Sequence, residues 1–106
     1  MIAVVVIGGP ETLIEAVQRV TTMVTNARVV TTDIASAATH VARERPFAIV
    51  VSDEVYAFDS AEFDALARDV RAALVVLPTE SVPLRTLQER LTPLVLDAFR
   101  EHFNEE

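Results

Sequence analysis

Few side chains in this 106-residue chain are equipped for chemistry. There is no cysteine, and all nine Lys/Arg positions are arginine (19, 28, 43, 45, 68, 71, 85, 90 and 100), so lysine is absent too. These absences exclude thiolate nucleophiles, disulfides and zinc–thiolate centres. They also exclude Schiff-base and Walker-type lysines. What remains is carboxylate, hydroxyl and imidazole. Asp33, Asp53, Glu54 and Glu80 follow short apolar runs. They carry the oxygen ligands a hard divalent cation takes, and they serve equally well as helix caps or a solvated acidic rim. His40 and His102 have no Ser, Asp or second His at relay or ligand spacing and read as surface residues. Ser52 lacks the G-x-S-x-G context of an activated serine. Gly8-Gly9-Pro10 holds both glycines of the chain. It reads as a tight strand-to-helix turn: Pro10 removes a donor, Glu11 repels anions, and no phosphate-binding glycine motif is present. No cofactor is expected.

Two apolar features point instead to recognition. Val55-Tyr56-Ala57-Phe58 is expected as a loop after the third apolar run, with Asp53, Glu54 and Asp59 around it. Tyr56 and Phe58 there either anchor a partner or fold back as a lid over the core. In the last helical stretch, Leu94, Val95 and Ala98 are expected to face the sheet, with Leu96, Phe99 and Phe103 well round the helix. That surplus makes either a wide buried face or a contact with a partner or a second subunit.

The elements that position these residues follow from periodicity. Continuous apolar runs at Ile2–Ile7, Arg28–Thr32, Phe47–Val51 and Ala73–Leu77 read as parallel strands covered on both faces. Between them run helical stripes: Leu13, Ala16, Val17, Val20, Met23 and Val24; then Ile34, Ala37, Ala38 and Val41; then Phe63, Leu66, Ala67 and Val70. Asp33 is expected to cap the second helix, and Asp59 to open the third with Glu62 three residues on. Pro83 suits a helix start, and Pro93 predicts a kink or restart with Thr92 as cap. The pattern predicts one α/β domain over 1–106, a three-layer sandwich of the flavodoxin type. It has a four-stranded parallel sheet in the order 2-1-3-4, helices on both faces, and a kinked helical segment over 83–106.

A formal net charge of −7 argues against nucleic acid, whose phosphates need a basic face. The apolar runs are too short to span a bilayer. Met1 leads straight into Ile2–Ile7 with no basic leader, so a cytoplasmic location is expected. All-arginine usage with abundant Ala and Val points to a GC-rich bacterial genome.

The stretch from Met1 to about Pro78 resembles a response-regulator receiver domain. The resemblance lies in its element order, in Arg45-Pro46-Phe47-Ala48-Ile49-Val50-Val51 and in an aspartate just after that strand. Leu74-Val75-Val76-Leu77-Pro78 through the last helix stands for the closing strand and helix of that family, which leaves the chain one βα unit short. The resemblance implies a phosphoacceptor position at Ser52 or Asp53 and a hydroxyl match at Thr79. The family's metal-holding acidic pair falls on Gly8-Gly9, and its phosphoryl-contacting lysine has no counterpart. Phosphoryl transfer depends on such charge neutralisation. The expected function is therefore that of a pseudo-receiver: a non-catalytic protein–protein interaction module in a bacterial signalling or regulatory assembly. Its partner is another protein with a basic patch, and a homodimer through the C-terminal helix is a further expectation. The alternative is a regulatory domain binding a small ligand or divalent metal at the acidic strand ends.

Overall fold

Four strands form at the apolar runs: β1 (Ala3–Ile7), β2 (Arg28–Thr32), β3 (Ala48–Ser52) and β4 (Ala73–Leu77). The computed structural model describes residues 2–104. The helices are α1 (Glu11–Val24), α2 (Ala37–Glu44), α3 (Asp53–Phe58), α4 (Ser60–Val70) and α5 (Leu84–Asn104). All strand pairs are parallel, and the order is β2-β1-β3-β4. Every residue of β1 and β3 is buried, as an uninterrupted β-branched run requires. Side chains alternate between faces. Val4, Val6, Ala48 and Val50 join α1 and α5, while Val5, Ile7, Ile49 and Val51 join α2 and α4.

Gly8 and Gly9 both have positive φ, at 61° and 86°. The backbone reverses there from β1 into α1, and Gly8 N–H donates to the Thr32 carbonyl at 2.7 Å. A Cβ on Gly9 would lie 3.1 Å from Leu13 Cδ2, so the turn needs glycine for both conformation and space.

The buried stripe of α1 is Leu13, Ala16, Val17, Val20 and Thr21. Met23, expected on that stripe, is 68% exposed. The stripe advances through Thr21 to the partly buried Val24, which turns Met23 off the sheet. Thr21 Oγ1 is buried without a hydrogen-bond partner among the described residues. Thr21→Val removes this hydroxyl while keeping the β-branched shape, so it is expected to stabilise the fold by about 1 kcal/mol. Urea unfolding checks this, and a loss of stability would show that the hydroxyl is bonded in solution.

Of the two expected aspartate caps, one differs from expectation. Asp33 accepts from Ser36 N–H at 2.8 Å and closes a turn, so α2 begins later, with Ser36 as the residue before it. Ile34 consequently lies in that turn, 42% exposed, rather than on the helix stripe. Asp59 does cap α4, accepting from Glu62 N–H.

α5 runs unbroken through Pro93. Thr92 does not cap a new helix; its hydroxyl donates to the Gln88 carbonyl at 2.7 Å, within the same helix. Pro93 and Glu89 are both exposed, so water can satisfy the carbonyl that proline leaves without a donor. The buried stripe Leu87, Leu91, Val95, Ala98 keeps one phase across the proline. Leu94, expected to face the sheet, is 41% exposed. Of the segment 83–106, residues 105 and 106 lie outside the described residues.

Candidate interaction surface at the carboxyl edge of the sheet

Ligand-binding residues of open parallel sheets gather beyond the carboxyl ends of the strands. Here β3 ends at Ser52, which is buried, and its hydroxyl accepts from Val55 N–H at 3.2 Å. The aspartate that follows is already helical: Asp53 Oδ1 accepts from Glu54 N–H at 2.9 Å. Both acidic residues sit in the first turn of α3, where the partial positive charge of the helix end favours them. Sequence reasoning expected a loop at Val55–Phe58, but the segment is helical. The cap at Ser52 and the paired carboxylates of the first turn are the local signals that favour a helix.

α3 buries no residue completely. Val55 and Tyr56 pack partly against the core, whereas Phe58 is 77% exposed. Tyr56 stacks near Phe63 with ring centroids 6.5 Å apart, and its hydroxyl donates to Asp64 Oδ1 at 2.9 Å. Tyr56 thus braces α3 against α4. Asp64 was not singled out from the sequence, because no spacing rule links residues on two different helices.

The Asp64 hydrogen bond, some loss of hydration and the Asp64 charge together raise the Tyr56 phenol above its ordinary value. A raised acid group contributes stability that is complete below its unfolded pKa and is lost as pH climbs through the raised value. The brace is therefore intact at neutral pH and released only in strong alkali. Tyr56 is the sole tyrosine, so ultraviolet titration of the phenolate reads it directly. Asp64→Asn is expected to move that titration back toward the ordinary phenol range. An unchanged titration in Asp64→Asn would mean that the bond does not persist in solution.

The acidic residues of the alternative, metal-binding reading do not converge. Asp33 closes its own turn, Asp53 and Glu54 open α3, and Glu80 lies exposed in the turn after β4. Among the described residues no three His, Asp or Glu side chains stand close enough to hold a metal ion. Thr79, half-buried, accepts at its carbonyl from Val82 N–H. His40 Nδ1, on α2, lies 2.8 Å from Arg43 Nη2.

What the segment 53–64 does present is an exposed aromatic residue in a run of exposed carboxylates. Asp53, Glu54, Asp59, Glu62 and Asp64 are all exposed, and no basic residue occurs between positions 53 and 64. Phe58 stands within that segment.

The aromatic residues of α5 form a separate cluster. Phe99 packs edge-on against Phe47 at 5.6 Å and against Phe103 at 4.7 Å. His102 lies over Phe47 at 6.0 Å and Phe103 at 5.5 Å, so it belongs to the cluster rather than to open surface. Phe99 and Leu96 are partly buried and Phe103 is 51% exposed. No helix among the described residues is long and apolar enough to cross a membrane. No protein-family profile, curated protein or solved structure matches the chain.

Proposed function

We propose that this domain is a non-catalytic interaction module, a pseudo-receiver acting in a bacterial regulatory assembly. The observation that carries the reading is Phe58: a large aromatic ring left 77% exposed on a short helix, in a segment with five exposed carboxylates and no basic residue. An isolated apolar ring in an acidic field suits a partner that offers an apolar pocket rimmed by arginine or lysine. The receiver-like part of the reading is supported by the 2-1-3-4 sheet and by the place of Ser52 at the end of β3. Ser52 is occupied in capping α3, Gly8-Gly9 stands where metal-holding acids would be needed, and the chain has no lysine. Those features favour docking over a phosphoryl switch.

Capture from a lysate of the source cells tests the reading when wild type is compared with Phe58→Asp. The exposed site predicts a change in folding stability within about 0.5 kcal/mol. A specific partner is expected to be retained by wild type at low salt, to be lost as salt rises, and to be absent with Phe58→Asp. The same captured set with both proteins would overturn the reading.

A further inference from the structure

We propose that two copies of this chain pair edge to edge through β4, antiparallel, about a two-fold axis at Val75. β4 bonds to β3 alone and forms one border of the sheet. Ala73 N–H donates to the Phe47 carbonyl on the β3 side, at 3.0 Å. Backbone groups alternate in direction along a strand, so Ala73, Val75 and Leu77 address β3 while Leu74 and Val76 turn their N–H and C=O outward. In the antiparallel pair, Leu74 of one copy exchanges both bonds with Val76 of the second, and the axis repeats the exchange. Pro78 bounds the pairing because it has no N–H, and at the other end Ala72 N–H is taken by the Ala67 carbonyl.

Edges that must stay unpaired are blunted by charge, proline or a bulge. β4 reads Ala-Leu-Val-Val-Leu and pairs with β3 in unbroken register, so it carries none of these guards. The opposite border, β2, begins with an arginine and ends in two threonines.

Charge selects a second copy as the occupant. Arg68 and Arg71 stand exposed at the amino end of β4, and Glu80 stands exposed beyond its carboxyl end. Among the described residues none of the three belongs to an ion pair. An antiparallel pairing about Val75 turns the amino end of one β4, with Arg68 and Arg71, toward the carboxyl end of the second, with Glu80, and the axis makes the same approach again. A surface complementary to itself end for end is what a two-fold interface requires. The pairing uses the backbone edge and does not rest on the docking reading of Phe58.

Sedimentation equilibrium of the full chain over a concentration series tests the pairing. Wild type is expected to dimerise as concentration rises. Arg71→Glu and Glu80→Arg each place like charges across the axis twice and are expected to weaken the dimer at least about tenfold. The two changes in one chain restore opposite charges and are expected to recover the wild-type constant to within about threefold. Both sites are exposed, and melting curves verify that each variant folds. A monomer at every concentration overturns the proposal, as do single reversals that leave the dimer intact or a combined variant that fails to recover it. Dissolution by Phe103→Asp with both reversals inert overturns it in favour of the C-terminal helix.

Discussion

Leu91→Ala is expected to lower the free energy of unfolding by about 3 kcal/mol, within the range for deleting a fully buried leucine. Leu91 is wholly buried midway along α5, in the layer α5 shares with α1. Those two helices pack against each other more extensively than any other pair of elements, so a cavity there removes contacts from a close-packed layer. For a domain of this size the loss corresponds to a fall in Tm of roughly 15 °C. Leu94→Ala, three residues on and 41% exposed, is expected to change stability by less than about 0.5 kcal/mol. The pair of variants tests the phase of α5 through Pro93. A restart at Thr92 that turned Leu94 inward would make the two losses comparable, and chemical denaturation distinguishes the cases.

Phe99→Ala is expected to cost about 2 kcal/mol, less than for a fully buried phenylalanine because the ring is only partly covered. The loss comprises the edge contact with Phe47 and the contact with Phe103. Edge-to-face pairs contribute about 1 kcal/mol each beyond simple burial. Phe103→Ala removes only the outer ring and is expected to cost well under half as much. Comparable losses would mean that the C-terminal turn is more enclosed than its 51% exposure indicates. Phe99 therefore joins folding and surface in one side chain, and variants at Phe58 and Phe103 separate docking from stability more cleanly.

Strand positions were legible in the sequence because the apolar runs are short and rich in β-branched residues, and β1 and β3 are indeed covered on both faces. β2, expected to be covered likewise, is exposed or half-buried along its whole length, because it is a border strand and carries Arg28, Thr31 and Thr32. The glycine turn was legible as well: Gly8 and Gly9 are the only glycines, and both occupy positive φ. Helix phase was less so. Periodicity weighs every apolar residue alike, so Met23 and Leu94 entered stripes from which one turn of rotation excludes them, while the buried Thr21 was passed over as polar. Pro93 was read by its usual effect inside a helix, but its cost falls when the freed carbonyl faces water.

The candidate surface was legible in composition and obscure in geometry. The cluster of carboxylates around Tyr56 and Phe58 is visible in the sequence, and the division of labour between the two rings is not. Tyr56 is tied to Asp64 across two helices, whereas the Phe58 ring is left 77% exposed. The border position of β4 follows from the expected strand order, whereas which backbone groups along it turn outward follows from its register with β3.

The most direct measurement is site-specific photocrosslinking in the source cells. A photoreactive phenylalanine analogue replaces Phe58 in one chain and, as a control, Met23 in another. Met23 is comparably exposed, at 68%, but sits near the end of α1, in the helical layer on the other face of the sheet. The account predicts a discrete adduct with one partner protein from position 58 and none from position 23. No adduct at position 58, or the same adducts from both positions, would contradict it.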